Sequence, residues 1–303
     1  MKRVIVLMST FNGEKYIKEQ IDSILNQEEV EVEIKIRDDG SQDSTVKIIS
    51  EYCKKFQNIS LYLGNNLKPA KSYLKLMSLN FDCDYYAISD QDDIWDKDKL
   101  IIAIRMIEKV EDGNPTMYFS NLRIVDTNNN YYRNSHKNLN IPDKYVALVQ
   151  DTATGCTIVY NKEASKFLQL YSPEGCSMHD SWLFLICIFF GHVIYDDIPH
   201  ISYRQHENNV VGTYLKNKNL HIFFKRAKRL LDPRWQPRYL NARNFYFQFK
   251  DMLSKNDTYE IKNIVNYKDS FLNRMNLFFD KKIHCSSFKN DIIYRILIII
   301  GII

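Results

Sequence analysis

No stretch of this 303-residue chain reaches the roughly 18 apolar residues that crossing a bilayer requires. The nearest approaches, Leu183–Phe190 and Ile296–Ile303, fall far short. Paired cysteine spacing is missing too. Cys53, Cys83, Cys156, Cys176, Cys187 and Cys285 include no C-x-x-C and no regular interval, which argues for free buried thiols in a reducing compartment. The sequons at Asn58-Ile59-Ser60 and Asn256-Asp257-Thr258 are then chance matches. Met1–Met8 has too short an apolar stretch before Ser9-Thr10 for a secretory leader, so a cytoplasmic protein is expected. No internal repeat is visible.

What is present describes a globular chain, 45% apolar and 26% charged, long enough for one large domain or two. The formal charge of +4 conceals an imbalance. Residues 213–303 carry 18 Lys/Arg against 7 Asp/Glu, whereas residues 1–212 carry 23 against 30. An acidic front and a basic rear imply two units, 1–212 and 213–303, with different partners.

The front reads β-α-β-α. Lys2–Met8 is apolar without alternation, as in a strand buried on both faces. Gly13–Gln27 places Ile17, Ile21, Ile24 and Leu25 at helical spacing. Val32–Arg37 is a second strand, and Asp43 or Ser44 caps a helix holding Val46, Ile49 and Cys53. Strand Ile59–Leu63, helix Pro69–Leu79, strand Asp84–Ser89 and helix Asp96–Val110 follow. This order predicts a mostly parallel sheet with helices on both faces, with ligands bound beyond the carboxyl ends of its strands. Further on, strands are expected over Thr116–Val125, Cys156–Tyr160, His192–Tyr195 and Ile201–Arg204, with Asp126–Lys144 a polar loop. Helices are expected over Ser181–Phe190, Leu220–Leu231 and Tyr239–Leu253, the last two separated by Pro233 and Pro237.

Two acidic clusters fall at expected strand ends. Asp90-Gln91-Asp92-Asp93 suits a hard divalent cation, Mg²⁺ or Mn²⁺, bridging carboxylates and a diphosphate; it would equally make a solvated turn before the next helix. Arg37-Asp38-Asp39-Gly40-Ser41 could accept a nucleobase N–H and ribose hydroxyls, or serve as a turn and helix cap. With Ser9-Thr10-Phe11-Asn12, three strand ends could make one nucleotide pocket.

The ordered set "VLMSTFNGEKYIKEQIDSILNQ", "IRDDGSQDST" and "YYAISDQDDIWDKDKL" resembles the family 2 glycosyltransferases, inverting enzymes of the GT-A fold, over roughly residues 1–212. The resemblance implies nucleotide contacts at Thr10 and Asp38, flanked by Ser9, Asn12 and Asp39. It places the D-x-D at Asp90 and Asp92, with Asp92 a metal ligand and Gln91 and Asp93 alongside. Asp180, in Gly175-Cys176-Ser177-Met178-His179-Asp180-Ser181-Trp182, becomes the general base that deprotonates an acceptor hydroxyl, although it could also cap the following helix. His179 stands where an acidic residue is usual.

Tyr203-Arg204-Gln205-His206-Glu207-Asn208-Asn209-Val210-Val211-Gly212 implies Arg204 at the diphosphate and His206 at the metal. Lys68, where many relatives carry glycine, Thr154-Gly155, His179, Asp93, Trp95 and Trp182 are expected near the donor sugar or acceptor. "SDQDDIW" with "YRQHENNVVG" is most similar to the bacterial rhamnosyltransferase branch, implying dTDP-L-rhamnose; UDP-hexose and UDP-N-acetylhexosamine donors are the alternatives.

The rear carries His221–Arg229, then Trp235, Arg238, Arg243 and Phe245-Tyr246-Phe247-Gln248-Phe249. Cations interleaved with aromatics suit an anionic membrane surface and a polyprenyl-diphosphate-linked acceptor, or a helical extension packed on the catalytic domain. No nucleic-acid motif accompanies the charge. Ile292–Ile303 could lie in an interface or join a homo-oligomer. The whole implies a metal-dependent inverting transferase working peripherally at the inner face of a bacterial membrane. Two rival readings remain. A nucleotidyltransferase would want a glycine-rich loop, and only Gly13 follows the first strand. The other is a non-catalytic sugar-nucleotide-binding scaffold.

Overall fold

A computed structural model describes residues 1–79, 81–170, 178–206 and 237–303. They form two compact units, one of residues 1–141, 153–170 and 178–206, the other of 142–152 and 237–303. The expected boundary at 212/213 and the helix Leu220–Leu231 lie outside the described residues.

The first unit runs β1 (Lys2–Thr10), α1 (Ile17–Leu25), β2 (Val30–Asp38), α2 (Thr45–Lys55), β3 (Ile59–Leu63), α3 (Pro69–Met77), β4 (Tyr85–Ser89), β5 (Ile94–Trp95), α4 (Lys99–Glu108), β6 (Thr116–Ser120), β7 (Arg123–Val125) and β8 (Tyr131–Asn134). After α5 (Lys144–Ala147), which belongs to the second unit, come β9 (Val159–Asn161), α6 (Lys162–Leu170), α7 (His179–Phe190), β10 (His192–Asp196) and β11 (Ile201–Arg204).

Seven strands make the central sheet in the order β10-β6-β9-β4-β1-β2-β3, and only β9 runs antiparallel to its neighbours. In β1, Val4, Val6 and Met8 enter a core shared with Ile17, Ile21 and Ile24 of α1 and Ile104 of α4. Ile5 and Leu7, which point the other way, are buried as well. Cover on both sides explains why the strand is apolar at every position. Because β1 lies between β2 and β4 and is parallel to both, the segments after Thr10, Asp38 and Ser89 emerge side by side.

Several expected boundaries shift. Thr116–Val125 is two strands in different sheets, because Asn121 breaks the run: its Oδ1 accepts from Leu122 N and His136 N, and its own N–H goes to the Asp196 carbonyl. β7 joins a second sheet, β5-β11-β7-β8, whose β8 lies in the stretch expected to be loop. Only the end of Cys156–Tyr160 is strand, since Gly155–Thr157 is a 3₁₀ turn. The helix expected from Gly13 begins at Ile17, after a turn that closes on the Gly13 carbonyl. Asp43 rather than Ser44 supplies the cap of α2, its Oδ1 accepting from Thr45 N at 3.0 Å.

In the second unit, α8 (Pro237–Phe249), α9 (Lys255–Val265), α10 (Phe271–Phe278) and α11 (Phe288–Ile300) follow. The Ser254 and Ser270 hydroxyls cap α9 and α10, and Asp257 on α9 accepts from Tyr145 Oη at 2.8 Å while pairing with Lys144. No helix among the described residues is long and apolar enough to cross a membrane.

Candidate active site

The three strand ends are stitched into one surface. Asn12 donates its backbone N–H to Ser41 Oγ at 2.9 Å and accepts from Gln42 N at 2.8 Å, tying the end of β1 to the loop after β2. Gln91 ties it to the end of β4: Oε1 accepts from Phe11 N at 2.9 Å and Nε2 donates to Phe11 O at 3.1 Å. Ser9 reaches Ser72 of α3, Oγ to Oγ, at 2.6 Å.

Asp38 is 1% exposed. It accepts from Gly40 N, Ser41 N and Ser41 Oγ within its own loop, and from Thr10 Oγ1 at 3.0 Å. Gly40 sits at φ +84, which lets the loop fold back onto this carboxylate. Asp39 is also buried; it pairs with Arg37 and accepts from Leu67 N at 2.9 Å. Both carboxylates therefore hold the loop after β2 and the segment before α3 in place.

The acidic cluster after β4 is different, because burial and the mutual repulsion of its carboxylates hold two of them above their ordinary range. Asp90 accepts from Tyr73 Oη at 2.8 Å; burial, with the Asp92 charge adding, pushes its carboxyl up to about 6. Asp93 is fully buried and its Oδ1 accepts from Arg204 N at 3.2 Å, whereas Oδ2 has no hydrogen-bond partner. Burial and then Asp92 and Asp90 hold that carboxyl well above its ordinary range. Cys156 joins them, with ligand atoms of Asp90, Asp93 and Cys156 all within 4.8 Å of one another. Its thiol is pushed up by burial and stays protonated, which leaves an oxygen donor set. An orphaned buried carboxylate oxygen beside two further carboxylates fits a hard divalent cation. His206 approaches from β11, with Nε2 2.7 Å from Asp92 Oδ2 and its ring stacked on Tyr16.

Arg204 is 4% exposed. Its guanidinium donates to the carbonyls of Asp92 and Thr127, pairs with Glu19 at 2.5 Å and lies over the Tyr16 ring. These bonds pin the end of β11 to the acidic loop, so the side chain expected at a diphosphate is engaged within the protein.

Asp180 is not an N-cap. That position is Met178, and Asp180 lies in the first turn of α7, where the helix dipole favours a carboxylate. The turn Gly155–Thr157 connects it to the acidic cluster. A Cβ placed on Gly155 would lie 2.8 Å from His179 Nε2 and 3.7 Å from Asp180 Oδ2, while the next residue is Cys156. A second connection runs through Tyr73, whose ring stacks on His179 with centroids 4.1 Å apart. Burial pushes His179 down to about 3, so it is a neutral wall of the site, with neither ring nitrogen hydrogen-bonded. Thr154 precedes the turn and accepts from Thr157 N through its carbonyl.

Two expected sugar contacts take other places. Trp95 and Trp182 are 3% and 0% exposed, packed inside the domain with no ring face at the surface. Lys68 is exposed, with a backbone at φ 69 and ψ 156 at the start of α3. Tyr73, Cys156 and Tyr16, which touch Asp90, Asp93 and His206, are not among the residues expected from the sequence. Each occupies an apolar face or a strand end in the sequence, where it reads as core.

A mostly parallel α/β sheet with acidic loops at the carboxyl ends of its strands belongs to the class of folds that bind ligands at those ends. The profile of glycosyl transferase family 2 matches residues 5–167, more than half of the chain, and the chain belongs to that family. The dTDP-rhamnosyl transferase RfbG of Shigella flexneri is 32% identical over 229 residues, 70% of this chain and 75% of that protein. An uncharacterized glycosyltransferase of Rickettsia typhi is 24% identical over 218 residues, 70% of this chain and 67% of its own. The fold resembles S. aureus TarS 1-349 in complex with UDP-GlcNAc, with TM-score 0.57 and 18% identity over 93% of this chain and 77% of that one. The fold is GT-A and the protein is a glycosyltransferase.

Proposed function

We propose that this glycosyltransferase moves one L-rhamnosyl residue from dTDP-L-rhamnose, with inversion, onto a hydroxyl of a polyprenyl-diphosphate-linked surface-polysaccharide intermediate. The observation that carries the reading is the juxtaposition of Asp180 with the acidic strand end through the Gly155-Cys156 turn. The 32% identity to a dTDP-rhamnosyl transferase supports the donor.

In this reading Thr10, Asn12 and the Asp38–Ser41 loop bind the nucleoside. The Ser41 hydroxyl on Asp38 is the partner that a nucleobase N–H would replace. Asp180 takes the proton of the acceptor hydroxyl, whose oxygen attacks the anomeric carbon. The bond from that carbon to the diphosphate breaks, and the diphosphate leaves with the electron pair. Asp92, with Asp90, Asp93 and His206 around it, would hold a Mn²⁺ or Mg²⁺ ion, which supplies neutralisation of the diphosphate charge when bound. Arg204 keeps Asp92 and Asp93 in place.

The basic rear segment would dock on anionic lipid at the cytoplasmic membrane face. Phe288, Ile292, Ile296 and Ile300 recur every four residues along α11, all exposed, as an interfacial helix requires.

Thermal stabilisation by dTDP-rhamnose, UDP-glucose, UDP-galactose and UDP-N-acetylglucosamine, with and without Mn²⁺, tests the donor site. At about 100 times its Kd a ligand of the folded state adds roughly 2.7 kcal/mol. A Mn²⁺-dependent shift with dTDP-rhamnose, lost in Asp92→Asn, is expected. A shift with a UDP-sugar instead overturns the donor. Asp180→Asn should keep that shift and abolish transfer; unchanged transfer removes Asp180 as the base.

A further inference from the structure

The second unit holds a groove between α9 and α10, a cavity of about 490 Å³, which is the size of a small-molecule site. Each helix gives it one aromatic ring beside one amide. On α9 these are Tyr259 and Asn263, one turn apart. On α10 they are Asn276 and, at the helix end, Phe279. The two rings are 66% and 69% exposed, so neither belongs to the core between the helices.

The floor of the groove is fixed. Asp280 Oδ2 accepts from Asn263 Nδ2 at 3.3 Å, and Oδ1 accepts from Lys282 N at 2.8 Å and Ile283 N at 3.1 Å. The Asp280 carbonyl accepts from Arg295 Nη2 of α11 at 3.3 Å. Glu260, 6% exposed, pairs with Lys282. At the rim Phe279 packs edge-on to Phe278, with ring centroids 4.9 Å apart. A groove held in this way loses little freedom when a ligand enters. Its charges balance, Glu260 and Asp280 against Lys281 and Lys282, so it presents no strong field to a polyanion or an anionic headgroup.

We infer that this groove is a non-catalytic sugar subsite, which takes a neutral pyranose residue of the glycan that the enzyme extends. The inference rests on the reading of the acceptor as a surface-polysaccharide intermediate. A pyranose has an apolar face of C–H groups and an edge of hydroxyls. The electron-rich faces of Tyr259 and Phe279 attract the C–H groups. Each sugar hydroxyl both donates and accepts, and the Asn263 and Asn276 amides offer groups of both kinds. A lipid tail laid in the same groove would satisfy the rings and leave the amides and carboxylates without partners. A second hold on the glycan slows its release from the enzyme.

The test is saturation-transfer difference NMR of the full chain, without donor or metal. The probes are methyl α-L-rhamnopyranoside, methyl β-D-glucopyranoside, methyl β-D-galactopyranoside and methyl N-acetyl-β-D-glucosaminide. At least one is expected to bind, with its ring C–H signals the most strongly saturated. Phe279→Ala and Tyr259→Ala should each weaken that binding about tenfold, as truncation of an aromatic anchor does, with Phe279→Tyr within about twofold of the unsubstituted chain. Both rings are exposed, so neither truncation removes core packing. Binding unchanged by both truncations places the glycoside elsewhere and overturns the inference. No binding of any probe overturns it too; if the truncations then weaken binding to phosphatidylglycerol vesicles, the groove is a membrane contact instead. Neither donor nor transfer enters the measurement. An acceptor of another kind, found by transfer assays, would therefore leave the sugar subsite standing and remove only its role on the growing glycan.

Discussion

The Tyr73 hydroxyl lies 2.8 Å from Asp90 Oδ1, so a side chain of α3 holds the first aspartate of the acidic cluster. It also reaches the Ser89 carbonyl at 2.6 Å, and its ring carries the stacked His179. One tyrosine therefore sets the spacing between the acidic strand end and the start of α7. Tyr73→Phe keeps the stack and removes the bond. It should cost about 1 kcal/mol in urea unfolding, from the lost hydrogen bond. Turnover with donor and Mn²⁺ should fall more than that stability change implies, by about tenfold, because Asp90 is no longer aimed.

Gly155→Ala probes the turn that brings Asp180 up to the cluster. The added methyl meets His179 Nε2 at 2.8 Å, and that ring is stacked and buried, so it has nowhere to retreat. The start of α7 must shift. Loss of about 100-fold in turnover is expected, with the thermal shift by donor retained, since a displacement of about 1 Å at a reacting group costs that much. Steady-state kinetics beside thermal shifts separate the two effects.

His179 makes the fold sensitive to acid. Its folded value, about 3, lies below the ordinary histidine value of 6.5 because burial disfavours the imidazolium. Below about 6.5 the unfolded chain takes up a proton that the folded chain refuses. The contribution is fully present above that pH and is lost as pH falls toward 3, at up to about 1.4 kcal/mol per pH unit. Urea midpoints at pH 7 and pH 5 should therefore differ more in the unsubstituted protein than in His179→Phe.

Lys68 occupies backbone space that essentially only glycine favours, at φ 69 and ψ 156. Its side chain is exposed, so no packing is lost when it is removed. Lys68→Gly should leave stability unchanged or raise it by about 1 kcal/mol, the released strain offsetting the greater freedom of the unfolded chain. Thermal midpoints decide this. A retained donor affinity in the same variant would show that the ammonium does not face the donor.

Much of the site was legible in the sequence because parallel α/β sheets expose function at strand ends. The apolar runs Lys2–Met8 and Asp84–Ser89 place Ser9–Asn12 and Asp90–Asp93 at such ends without further information. Side-chain direction was not legible. Asp38 and Asp39 turn inward, onto the backbone amides of Gly40, Ser41 and Leu67, and nothing in "DDGS" distinguishes that from facing a nucleotide. Trp95 and Trp182 were expected near the donor sugar or acceptor, yet each fills the interior. Arg204 and Glu19, 185 positions apart, pair only because β11 lies beside β5 and β7.

The sequence by itself determined the element order through α4, the acidic strand ends and the family motifs, because periodicity and short motifs are local properties of the chain. Only the tertiary structure decided that Tyr73 and the Gly155-Cys156 turn couple those ends to Asp180, and that Arg204 is locked by Glu19. These relationships join residues tens to hundreds of positions apart. Burial and charge pairing depend on what packs against a side chain, and a linear pattern does not carry that.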